Sequence, residues 1–450
     1  MRTTCWTHLG SLAVLAASAV CSGQTVPLEF APLELPEATL TQTDFAHDGT
    51  LPVLYYYGMV VPAKNRLNFS EKTPKQTLEL GGSKCTIAFD PKGRTFRLDA
   101  GKTDAALKRR RHGLTAPAFR LGKLSYRLAM PRAFTYLGKG AIYYRSGGAQ
   151  TGTVAGTNVA IYDANVDGRY EAKHDAIRLG RCGAANAFAP IGDFLATTGT
   201  VYRIGKIAAD GSQMSLAAHD GDVGRMKLGA PVRGVAVHVA VASTDGKVTF
   251  AGAAKGQTLT VLPGKYTLRY GFLFDPKSRE IVTLIIPDKK MGAVTVPKYV
   301  VPEPPKPKID PKTKKPLPTP KPPPPPEPTA FTVGEGLSLQ FAYAKKDDKI
   351  VVSGPVVATG RLGERYVGRK MSVRAYVLKE RPAEGKDKKK PKPITVEIGR
   401  FTVGGDLKGG EHACEMPKVK DKPLKGKCIL RLVGSLPGFG TVTGEKPIGL

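Results

Sequence analysis

Asp163, Asn165 and Asp167 stand at alternate positions, and Gly168 follows them directly. Oxygen-bearing side chains at that spacing can converge on one hard cation, and a glycine after them permits the sharp turn the loop needs. The chemistry implied is calcium ligation. Arg169 would turn its backbone carbonyl inward, Glu171 would ligate directly or through water, and Asp175 would add a carboxylate just past His174. The same residues also build Asx turns, which need no metal. A bound Ca2+ would be structural, clamping an edge loop.

Other reactive residue types do not assemble into a recognisable motif. The histidines are scattered at His8, His47, His112, His174, His219, His238 and His412. There is no H-E-x-x-H and no G-x-S-x-G, so neither a zinc-protease helix nor a nucleophile elbow is expected. His238 lies opposite a valine stripe and reads as a surface or inter-domain residue. His219-Asp220-Gly221-Asp222 reads first as a turn. Lys108-Arg109-Arg110-Arg111-His112 is the densest basic cluster and reads as the solvated end of a short helix over 104–111. Without interleaved aromatics or a nucleic-acid motif, specific nucleic-acid binding is not expected. The single Trp, Trp6, lies in the leader, so ring stacking on sugars would fall to Tyr55-Tyr56-Tyr57 and Tyr143-Tyr144.

The acidic loop departs from the EF-hand and dockerin patterns: His174 occupies the twelfth position, no helix precedes the loop, and no second copy follows. It more closely resembles the D-x-N-x-D-G-x-Y…D-x-I stretch of secreted, β-rich bacterial proteins of planctomycete type. Asp163, Asn165, Asp167, Gly168, Tyr170, Asp175 and Ile177 carry that resemblance. It implies an exported β-protein and no assigned activity.

The elements positioning these residues read as strands. Val159–Tyr162 alternates just before the loop, and further short runs recur at 54–61, 84–89, 123–128, 141–144 and 201–207. Residues 24–228 are therefore taken as one β-rich domain carrying the loop 163–175. Val235, Val237, Val239 and Val241 lead to the turn dipeptide Asp245-Gly246, and Val248 and Phe250 begin a returning strand. This places a small Ig-like domain at 229–296. Its segment 261–268, with Pro263-Gly264-Lys265-Tyr266, resembles the P-G-x-Y edge of transthyretin-like and carboxypeptidase-regulatory modules, which implies the fold alone. Residues 297–330 form a Pro/Lys-rich linker: 15 of the 37 prolines fall between 297 and 328. Proline runs favour extended polyproline II, so the linker is expected to hold a C-terminal β-sandwich, 331–450, at a distance. The fold class expected is mainly β, with several Ig-like sandwiches in tandem.

Composition sets the remaining bounds. Gly 51 and Pro 37 favour turn-rich β-structure over helical bundles. Arg2, the apolar run Leu9–Val20 and the small residues Cys21-Ser22-Gly23 read as a signal peptide over 1–23, too short to span a membrane. Val20 and Ser18 fit the lipid-attachment pattern poorly, which speaks against anchoring through Cys21. Outside the cytoplasm Cys414 and Cys428 are expected to form a disulfide, while Cys85 and Cys182 are read either as a second pair or as buried thiols. The formal charge of +30 points to anionic surfaces or polysaccharides as partners. The functional expectation is an exported, non-catalytic structural or adhesive protein of the cell envelope. The alternatives are a carbohydrate- or wall-polymer-binding protein and a secreted hydrolase without a recognisable motif.

Overall fold

The computed structural model describes residues 23–450 apart from 34–36, 39–52, 57–58, 63–65, 71, 91–94, 111–112, 132–140, 173, 184–186, 289, 301–323, 325, 369–370, 381–392 and 404–409. The expected leader and most of the Pro-rich stretch lie outside the described residues. All regular structure among the described residues is β-strand, so the mainly-β expectation holds. No described helix is long and apolar enough to cross a membrane.

Alternation builds the sheets. In strand Thr95–Ala100, Phe96, Leu98 and Ala100 are buried while Thr95, Arg97 and Asp99 face water. This strand belongs to a four-stranded meander with Lys75–Leu80, Ser83–Asp90 and Thr103–Ala106. The short helix expected over 104–111 is instead the strands Thr103–Ala106 and Lys108–Arg110. Ala105 and Ala106 favour helix locally, but the ladder to strand Thr95–Ala100 and the bidentate Arg97–Asp104 pair, at 2.6 and 2.7 Å, override that preference.

Two further sheets frame the acidic loop. One holds Glu29–Pro32, Gly148–Val154, Thr157–Tyr162, Ala176–Leu179 and Ala189–Pro190 in that order. The other holds Gln24–Pro27, Gln213–Ala218, Val201–Ile207 and Phe194–Ala196. The first strand thus pairs with residues about 190 positions later, from Gln24 opposite Leu216 to Pro27 opposite Gln213.

The valine-rich hairpin forms as expected, from Ala236–Ser243 and Thr249–Ala253, with Gly246 in the left-handed region at φ +75°. Tyr266 donates its hydroxyl to the Leu262 carbonyl at 2.7 Å and locks the P-G-x-Y turn. Yet strand Ala236–Ser243 is buried on both faces from Val237 onward. Its hairpin packs against Ala176–Leu179 and Ala189–Pro190 of the loop-bearing sheet, so it is not covered from one side only. His238, expected at the surface or between domains, is buried at 8% exposure where this hairpin meets that sheet, within reach of the Arg178 charge.

Strands on the two sides of the Pro-rich stretch pair directly. Thr283–Pro287 of strand Glu280–Pro287 pair with Gly368–Glu364, and Met226–Gly229 run parallel to Thr329–Thr332. A Cβ at Gly368 would lie 2.7 Å from the Val282 carbonyl, so this joint needs glycine for its close approach. Strand Val294–Val296, just before the stretch, also touches strand Thr329–Thr332, just after it. The stretch therefore does not keep the last sandwich apart from what precedes it: a single fourteen-stranded sheet runs from Thr249–Ala253 to Ile394–Val403. Hydrophobic periodicity could mark these strands but carried no information about which of them would be neighbours.

Candidate functional site

The acidic loop begins where strand Thr157–Tyr162 ends. That strand enters the interior with Val159 through Tyr162 all buried, and it carries Asp163 in with it, at 0% exposure. A buried carboxylate must be hydrogen-bonded. The Oδ1 of Asp163 accepts the Val166 N–H at 2.7 Å, and Oδ2 accepts the Gly168 N–H at 2.8 Å and the Tyr126 hydroxyl at 2.6 Å. The bond to Val166 supports a β-branched residue at φ +60°, a conformation such residues rarely adopt. Gly168 stands at φ +74°, and a Cβ there would come within 2.6 Å of the Gly81 nitrogen. The sharp turn assigned to Gly168 is therefore present, and it is also a docking point.

Asp175 closes the far side. Its Oδ1 accepts the Ala164 N–H at 3.0 Å, and its Oδ2 accepts the Glu171 N–H at 2.6 Å. Asp167 is turned to its neighbours, taking the Asn165 amide at 2.9 Å and the Arg169 N–H at 2.7 Å. Asn165 in turn accepts the Asp167 N–H at 3.3 Å. Glu171 and Arg169 are exposed. The six candidate ligands thus lie along one loop; the side-chain oxygens of Asp163, Asn165, Asp167 and Asp175 accept loop N–H groups, and among the described residues no three or more His, Cys, Asp or Glu side chains gather as a metal cage. The loop is a stack of Asx turns closed by hydrogen bonds.

Burial governs the electrostatics. It pushes the Asp163 carboxyl up to about 6, opposed by the bonds from Tyr126, Gly168 and Val166. It pushes Asp175 up to about 8, with the charge of Asp163 adding to the rise. Tyr126 and Tyr170 are both held well above the ordinary phenol range, first by burial and then by the charge of Asp163.

The loop joins three separate pieces of chain. The Asp167 carbonyl accepts the Gly81 N–H at 2.7 Å from the meander, Tyr126 arrives from the hairpin Phe119–Leu121/Leu124–Tyr126, and the Tyr170 N–H donates to Ala209 at 3.0 Å. Tyr170 is named by the sequence resemblance. Tyr126, 37 residues upstream of Asp163, carries no signal in the sequence that could have found it.

The other candidates do not come together. Cys85, Cys182, Cys414 and Cys428 are all free thiols, so the expected Cys414–Cys428 disulfide and the alternative Cys85–Cys182 pair are absent. Cys414 sits on a strand paired with Lys349–Val352, whereas Cys428 pairs across to Ile448; proximity in sequence does not bring them face to face. Burial raises all four thiols, Cys85 to about 12, which keeps them protonated and unreactive. His238 stacks on Phe272, rings 5.2 Å apart, and burial lowers it to about 3. His219 meets the edge of Phe194, while Asp222 pairs with Lys298 at 2.7 Å. Arg111 and His112 of the basic cluster, and Tyr57, lie outside the described residues.

No model of a known protein family and no curated protein matches the chain. Among solved structures it is similar to a tetra-tandem repeat from the extending region of a large adhesion protein. That likeness is at 10% identity, covers 82% of this chain and 71% of that chain, and has a TM-score of 0.18. At that score neither an arrangement of domains nor an activity carries over from one chain to the other.

Proposed function

We propose that the protein is an exported, non-catalytic structural or adhesive component of the cell envelope, built as a rigid β-scaffold. The observation that carries this reading is the use made of its chemically capable groups. Asp163 and Asp175 close a loop by accepting backbone N–H groups, Glu364 accepts the N–H of Gly334 and of Leu362, and the thiols stay protonated. Each of these groups works as a joint, and the hydroxyls that meet the carboxyls, Tyr126 on Asp163 and Tyr366 on Glu364, are themselves buried away from solvent. Export is supported by the position of the first strand: Gln24 follows directly on the expected leader, so removing 1–23 leaves the sheet of Gln24–Pro27 whole. In this proposal the loop 163–175 is a hydrogen-bonded clasp among three pieces of chain, and calcium has no necessary part in it.

The test is expression with the native leader, followed by fractionation and mass spectrometry of the mature N-terminus. A chain recovered outside the cytoplasm and starting near Gln24 is expected. Recovery in the cytoplasm with residues 1–23 intact would overturn the assignment.

A further inference from the structure

Five lysines, Lys418, Lys420, Lys422, Lys425 and Lys427, fall within ten residues that hold one acid, Asp421. In sequence they look like one more solvated lysine run. The structure makes them a fixed ridge. Lys418-Val419 pairs with Lys422-Pro423 across a two-residue turn, with Lys420 and Asp421 both left-handed at φ +49° and +62°. Buried Leu424 and Pro417 root the hairpin, the Leu424 N–H donating to the Pro417 carbonyl at 2.9 Å. Gly426 and Leu450 exchange both of their N–H bonds, at 2.8 and 3.0 Å, and tie the ridge to the end of the chain.

All five lysines are exposed, and none has an ion-pair partner among the described residues. Two more cations are drawn to the same corner by backbone carbonyls: Lys379 Nζ donates to Lys425 at 2.8 Å, and Lys345 Nζ donates to Gly449, which lies opposite Lys427, at 3.0 Å. Like charges held this close repel one another, and an anionic ligand would relieve that repulsion.

We propose that this ridge is the docking surface for a linear polyanionic polysaccharide bearing carboxylate or sulfate groups. The inference rests on the adhesive reading above and names the partner class. The residue types select the occupant. Between 413 and 429 there is no aromatic residue on which a nucleic-acid base could stack. The exposed side chains of the ridge are the lysines, Asp421 and Pro423, with no large apolar group to enter a bilayer. Lysine offers compact point charges that pair with carboxylate or sulfate groups without demanding one fixed geometry. Lys418 and Lys422 stand on the two arms of the hairpin and Lys420 at its turn, so the charges follow one another along the ridge as an extended polyanion would require.

The experiment compares two variants of the full mature chain with equal loss of charge. One carries Lys418, Lys420, Lys422 and Lys425→Gln; the other carries Lys72, Lys75, Lys84 and Lys102→Gln on the distant meander. Binding to heparin and to polygalacturonate should fall about tenfold or more in the first and stay within about twofold in the second. Lys420→Glu, a single change at the exposed tip, should reproduce the ranking if the quadruple variant misfolds. Equal losses in the two variants would show diffuse charge only and overturn the proposal. So would ridge-dependent binding confined to phosphatidylglycerol vesicles or to single-stranded DNA. A failed ridge leaves the exported, non-catalytic reading standing, because fractionation tests that reading without any polymer.

Discussion

Asp163 shows how one buried side chain can hold a loop that its neighbours would otherwise resist forming. Its carboxylate accepts three hydrogen bonds, and two of them fall on residues at positive φ, Val166 and Gly168. Removing it would orphan two N–H groups and the Tyr126 hydroxyl in the interior, so Asp163→Ala is expected to cost about 3 kcal/mol or more. The calcium question is decided by the same variant. Melting curves of the wild-type chain in calcium and in chelator should coincide, and Asp163→Ala should lower both alike. A calcium-dependent rise in Tm that is abolished by Asp163→Ala with Asp167→Ala would instead place a cation in the loop.

Among the elements, strand Ala236–Ser243 has both of its faces covered. Its alternation places valines to one side, and His238 is buried on the other, stacked on Phe272. Burial first, then the cations Arg178 and Lys255, lower His238 from 6.5 to about 3. A histidine with a depressed folded pKa binds its proton more readily in the unfolded chain. Its contribution to stability is therefore complete above pH 6.5 and is lost as pH falls toward 3. Equilibrium denaturation should show a loss on the order of 2–3 kcal/mol between neutral pH and about pH 4 that His238→Phe largely removes. An unchanged acid limb in that variant would mean that His238 stays solvated.

At the scale of the whole molecule, the pairing of Thr283–Pro287 with Glu364–Gly368 and of Met226–Gly229 with Thr329–Thr332 turns the Pro-rich stretch into a connection between neighbours. A protease site inserted at residue 312 tests this. After cleavage the two fragments should co-elute on size exclusion under native conditions and separate in denaturant. Separation without denaturant would restore the picture of a spacer between independent modules.

Local chemistry explains how much of this was legible beforehand. The two-residue alternation at Val235–Val241 and the short run at 201–207 marked strands correctly, because successive residues of a strand point to opposite faces and that much is local. The Asp-x-Asn-x-Asp-Gly spacing marked a tight acidic turn for the same local reason. Which donors meet the Asp163 carboxylate and the Asp167 carbonyl depended on Tyr126 and Gly81, which reach the loop only after the sheets have packed around it. The helix expected at 104–111 was settled by the adjoining strand Thr95–Ala100, whereas the thiols of Cys414 and Cys428 and the burial of His238 were settled by partners farther along the chain. Backbone N–H and C=O groups are alike at every residue, so periodicity cannot say which strand a strand will pair with. That choice was made by the packed whole, through the burial of side chains that local sequence does not bring together.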